Sequence, residues 1–143
     1  GVENDNLIPI DGSPASTPQV RNTRPVIKSA IDWDRAVLVH DNGQETWQKW
    51  YGAHEPDRGG WTKGRVYSDL SLAIDAAVDG EGVILADDIL CQQEITSGRL
   101  VRLEDRSVRC VWYQIAVPRG TSKSTAAAFF RNWLMDQTED LRE

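Results

Sequence analysis

Ser68 and Asp69 are the residues of this chain whose types and spacing best suit contact with a ligand. They stand between a strand-forming pair, Val66-Tyr67, and apolar residues Leu70, Ala73, Ile74, Ala77 and Val78, which recur at helical spacing. Either side chain can cap the first helical turn by accepting one of its orphan amides. Free amides and the positive end of the helix dipole suit a carboxylate or another anion. Asp69 opposes an anion, unless its carboxylate turns back to cap the helix. Gly80 stands where a left-handed residue would end the helix, and Val83 to Leu85 is a short apolar run of buried-strand type. The order is therefore strand, turn, helix, strand: a βαβ unit with parallel strands. Ligands of open α/β sheets bind outside the carboxyl ends of strands, and Ser68-Asp69 occupies such an end. A plain βαβ unit with a capped helix and no ligand satisfies the same pattern.

Four other features carry chemistry or imitate it. His40-Asp41-Asn42 follows a strand and could orient a ligand or cap the next turn. Asp87-Asp88 follows Ala86 at another strand end; two acids there repel an anion, favour a cation such as an amine, or simply cap a helix. Trp47 and Trp50 share a helix face and could stack a ring, although core packing is the commoner use of such a pair. Cys91 and Cys110 lie far apart and in no metal-like spacing, which points to free thiols rather than a redox pair.

The elements that position these residues are legible in outline. Asp11 to Pro25, with Pro14, Pro18 and Pro25, reads as loop, and Thr17 to Arg24 is weak for helix. A helix over 27–33 leads to a strand over 36–39. A short helix over 46–51 precedes a loop from Gly52 to Gly64. After the central unit come a helix over 89–96 with an aspartate cap, a strand over 100–103, a turn and a long strand over 108–117. A last helix over 124–137 carries the stripe Ala126, Phe129, Phe130, Trp133 and Leu134.

Composition narrows the function classes. The chain has 143 residues and a net charge of −6, so it suits one domain and is no nucleic-acid-binding surface by itself. No apolar run is long enough to span a membrane, and Gly1 to Asn6 is polar and acidic rather than a secretory core, so the cytoplasm is the simplest location. No nucleophile elbow, phosphate loop or zinc motif is present. No catalytic residue, metal or cofactor is therefore expected.

The central stretch resembles the effector-binding domain of LysR-type transcriptional regulators, in the subgroup of the glycine-cleavage activator and the β-lactamase regulator. Tyr67-Ser68-Asp69, Ala73, Ala76-Ala77, Gly80, Gly82-Val83 and Leu85-Ala86 match its pattern in order. Flanking matches are Ile8-Pro9-Ile10 with Ser13-Pro14, the strand ending in His40-Asp41, Trp47 with Trp50, and Gly98-Arg99-Leu100-Val101. Trp112-Tyr113 to Pro118 and Phe129-Phe130-Arg131-Asn132-Trp133-Leu134 complete the set. The resemblance implies a type II periplasmic-binding-protein-like α/β fold. It divides the chain into a hinge segment over 1–13, regulatory subdomain 2 over 14–110, and the return strand and last helix of an incomplete subdomain 1 over 111–143. It further implies that the helix-turn-helix, linker helix and first part of subdomain 1 belong to sequence outside this chain.

By the same resemblance an effector sits between subdomains and shifts their relative angle, touching Tyr67, Ser68, Asp69, Leu70, Ala86 and Asp87 on this side. The implied partners are a small-molecule effector, operator DNA through the helix-turn-helix only, and further copies of the chain, with no membrane. A periplasmic-type solute-binding fragment is the alternative, and a small hydrolase using His40, Asp41 and Asp69 or Asp87 is the third class. The resemblance also places the stripe of the last helix against segments outside this chain, so the chain by itself is expected to associate with its own kind.

Overall fold

The structure is a computed structural model that describes residues 2–23, 33–41, 43–118 and 126–142. It separates into two compact units, Asp11–Arg109 on one hand and Gly1–Ile10 with Cys110–Glu143 on the other. The division falls within two paired strands, β1 (Val2–Ser16) and β6 (Val108–Pro118).

In the Asp11–Arg109 unit, helices cover a mixed sheet on both faces. Parallel pairing joins β2 (His40–Asp41) to β3 (Val66–Tyr67), with His40 opposite Val66 and Asp41 opposite Tyr67. On its other side, the residue run leading into β2 bridges Val83 through Leu38, again in parallel. β4 (Ile84–Ala86) then pairs antiparallel with β1, which pairs antiparallel with β5 (Val101–Arg102). The two strands of the expected βαβ unit are therefore not neighbours, because β2 lies between them. Burial explains the insertion. Leu38 and Val39 are almost fully buried, whereas Val66 of β3 is 49% exposed. A run that is apolar on both faces belongs in the middle of a sheet, and a half-exposed pair suits an edge.

Strand alternation sorts the core into two clusters. Leu38, Val83 and Leu85 face one way and pack with Trp33, Trp47, Trp50 and Tyr51; Val39, Ile84 and Ala86 face the other way and pack with Ala73, Ile74, Ala76 and Ala77. The first group of helical residues belongs to α2 (Glu45–His54) and the second to α3 (Leu70–Val78), so the two helices cover opposite faces. Trp47 and Trp50 are core residues. Their ring centroids lie 5.7 Å apart, and the indole N–H groups donate to Val39 O at 3.1 Å and Arg106 O at 3.0 Å. No ligand ring can reach their faces.

Several local expectations need correction. The stretch from Asp11 is strand to Ser16, and Pro14 sits inside it with its carbonyl accepting Leu103 N at 2.8 Å. α1 (Pro18–Thr23) follows at once, because Thr17 Oγ1 caps Val20 N at 3.1 Å and proline suits the first helical position. α2 runs three residues further than expected, to His54. The helix expected over 89–96 is a turn followed by α4 (Gln92–Thr96). The helix expected over 27–33 lies outside the described residues except for Trp33, which is in a turn. Gly80 does end α3, at φ +86°, and Glu81 N closes the helix end on Ala76 O at 3.1 Å.

In the other unit, α5 (Ala126–Gln137) leads into a 3-10 turn, Glu139–Arg142. Arg142 binds this end together: it donates to Leu7 O at 3.2 Å, Thr138 Oγ1 at 2.8 Å and Met135 O at 2.6 Å. The stripe of α5 is uncovered, with Phe129 74% and Trp133 50% exposed.

Candidate functional site

The topology points to one edge of the Asp11–Arg109 unit. From β2 the chain crosses by α2 to β3 on one side, then by α3 back past β2 to β4 on the other. The direction of winding reverses at β2, so the switch point lies between the carboxyl ends of β2 and β4, where open α/β sheets place their ligands. Asp41 and Ala86-Asp87 stand at those two ends, and Ser68-Asp69 stands at the end of the edge strand β3.

The six residues expected at the site divide by what already occupies them. Asp69 turns back and accepts Leu72 N at 2.9 Å, so its carboxylate caps α3 and fills the anion position at that helix end. Tyr67 donates its hydroxyl to Glu81. Leu70 packs against the α3-side core, where Ala86 is fully buried. Asp87 is buried and its Oδ1 accepts Ile89 N at 2.8 Å and Leu90 N at 2.5 Å, which settles it as the cap of the turn before α4. Ser68 is exposed beside the α3 N-terminus. His40 is buried and donates from Nε2 to Lys63 O at 2.8 Å, so it holds the 63–66 segment on β2 rather than facing a ligand.

Two residues outside that set complete the edge. Asp41 is half-buried; burial pushes its carboxyl above the ordinary range, with the nearby Asp87 charge adding to the rise and His40 opposing it. The signal for Asp41 was its place directly after a strand, ahead of a switch that only the strand order reveals. Arg102 donates from Nη1 to Ser13 Oγ and to Ala86 O at 2.8 Å, and from Nη2 to Asp88. Nothing in the spacing of β5 announces that role. Asp87 and Asp88, alike in sequence, thus do different work: one caps, the other pairs with an arginine.

The shift at Asp41 has a sign. A carboxyl whose folded pKa lies above its unfolded value of 3.8 contributes stability at lower pH that is lost as pH rises through the folded pKa. Asp41→Asn is therefore expected to raise Tm near neutral pH and to leave it unchanged below about pH 3. Thermal melts at both values check this, and an equal gain at both would show that the charge is not the cause.

Cys91 is buried, and burial pushes its thiol up to about 11, against the lower values of reactive thiols.

No family profile matches the chain. Two curated relatives are a transcriptional activator, AmpR, of Providencia stuartii, 29% identical over 110 residues, and the glycine cleavage system transcriptional activator of Escherichia coli K12, 25% identical over 123 residues. These matches take in 76% and 85% of this chain, but the chain spans only 37% and 40% of the relatives' lengths. The relatives are transcription regulators, not enzymes. The effector domain of AmpR from Pseudomonas aeruginosa shares the fold: it superposes with a TM-score of 0.77 at 20% identity, over 98% of this chain and 67% of that domain. No described helix is long and apolar enough to cross a membrane.

Proposed function

We propose that this chain, which belongs with the effector-binding domains of LysR-type transcriptional regulators, senses a small molecule and passes the signal to transcription without catalysing a reaction. The observation that carries the site reading is the switch point between β2 and β4, with Asp41, Ala86 and Asp87 on it and Ser68 beside it. Ligand binding there acts by favouring one arrangement of the regulator over another, and the coupling is only as large as the difference in affinity between the two.

The acid pair gives the site a preference. Burial and the nearby Asp87 charge both raise the cost of ionising Asp41, and a cationic group on the ligand relieves it. The full regulator's partners follow from the same reading: operator DNA through a helix-turn-helix outside this chain, and further copies of the regulator. A cytoplasmic location also belongs to it. The exposed Phe129, Phe130 and Trp133 support self-association through α5.

Ser68→Trp in the intact regulator tests the site. The bulky side chain is expected to shift the effector dose response of the target promoter at least about tenfold, or about 1.4 kcal/mol. An unchanged response, with the protein present at normal level, would remove the β3 end from the site.

A further inference from the structure

The crevice edge carries charge of both signs around a single backbone position, Ala86. On one side, continuing the parallel register from Leu38 opposite Val83 brings Asp41 level with Ala86, and Asp87 is the next residue along. On the other side, Ala15 pairs with both Ile84 and Arg102, so Arg102 projects from the same face as the α3-side core. Its guanidinium folds over to meet Ser13 Oγ and Ala86 O, and its Nη2 meets Asp88.

The Arg102–Asp88 pair is unequal. Arg102 is 26% exposed and anchored to the strands, whereas Asp88 is 84% exposed on a turn and takes no part in the cap that Asp87 makes. An exposed carboxylate on an anchored guanidinium exchanges readily with another carboxylate, because solvent competes for it and the exposed pair is weak. Asp88 thus occupies a carboxylate position that a ligand can take.

We infer that this edge binds a zwitterion, an α-amino acid or a close analogue, with its ammonium at Asp41 and Asp87 and its carboxylate on Arg102 in place of Asp88. This rests on the switch-point reading above and adds the ligand's chemical class to it. A compound that carries its ammonium and its carboxylate on one carbon spans Ala86 from the acid pair to the guanidinium. An amine without a carboxylate, or a carboxylate without an amine, satisfies only one end.

The test uses the whole chain, labelled with nitrogen-15, and three matched probes: L-alanine, ethylammonium and propionate. Backbone signals of residues 87–90 and the Arg102 side-chain signal are followed to tens of millimolar. L-alanine is expected to saturate both sets and to bind at least about fivefold tighter than either half-molecule. Asp88→Asn, at an exposed position, is expected to tighten L-alanine at least about threefold, and Arg102→Gln to weaken it at least about tenfold. Should Arg102→Gln fail to fold, Arg102→Lys replaces it, with a smaller loss expected. Ethylammonium equal to L-alanine, with Asp88→Asn silent, overturns the zwitterion while leaving the acid pair as a ligand site. No response at residues 87–90 to any probe overturns both.

Discussion

Gly64→Ala is expected to cost more than about 4 kcal/mol and to leave little folded protein at room temperature. Gly64 has φ +91°, and a Cβ there would lie 1.8 Å from the carbonyl oxygen of Leu38, a backbone atom of the central run. Neither partner can give way. Leu38 is clasped between β3 and β4: Val39 N donates to Val83 O at 2.8 Å, and His40 N to Arg65 O at 3.1 Å, one residue beyond the glycine. Left-handed backbone adds its own penalty for a side chain. Two other glycines serve as controls. Gly52 lies inside α2 with open space around it, so Gly52→Ala is expected to stabilise by about 0.5–1 kcal/mol. Gly59 has open space and no positive φ, and is expected to be close to neutral. Urea unfolding followed by tryptophan fluorescence gives all three. A Gly64→Ala protein within about 1 kcal/mol of the parent would mean that the 63–66 segment does not press on β2 as described.

Trp50→Ala is the second large effect, expected at about 3–5 kcal/mol. The ring is fully buried, with centroids of Trp33 at 4.6 Å, Trp47 at 5.7 Å and Tyr51 at 5.7 Å. Its N–H donates to Arg106 O, and the Arg106 guanidinium lies 5.0 Å over the ring while donating to His54 O at 3.0 Å. Removing the indole therefore opens a large cavity and cuts α2 from the turn before β6. Arg106 is itself partly exposed, so Arg106→Ala is expected to cost only about 1 kcal/mol, from the lost cover and hydrogen bond. Far-ultraviolet circular dichroism in urea measures both without relying on the removed fluorophore. A cost for Trp50→Ala below that of Arg106→Ala would show that the ring cluster is not the centre of this face.

The local strengths of the chain explain which elements were legible. Asp69, Leu70, Ala73, Ile74, Ala77 and Gly80 combine a cap, a periodic stripe and a stop, so α3 follows from short-range chemistry alone. Pro14 misled because proline marks a break when read alone; in the structure its carbonyl still takes a ladder bond from Leu103. Thr17 and Pro18 read as loop for a similar reason, although together they form a helix start. Trp47 and Trp50 were open between ligand stacking and packing until Trp33 and Tyr51, distant in sequence or on the next turn, closed around them.

The sequence by itself determined the α/β class, the capped helix after β3, the acidic balance, and an ordered set of motifs resembling LysR-type effector domains; each depends on neighbours a few residues apart, where propensity and capping dominate. It also placed Ser68-Asp69 and Asp87 at strand ends. Only the tertiary structure decided that β2 lies between β3 and β4, and so that the switch point falls at Asp41 and Asp87 rather than at Ser68-Asp69. Only it separated the two adjacent aspartates into a cap and an arginine partner, and brought Arg102 beside Ala86 across 16 residues of chain. Strand order is set by which runs are apolar on both faces and compete for the middle of the sheet. That competition is settled among distant segments, and no local pattern records its outcome.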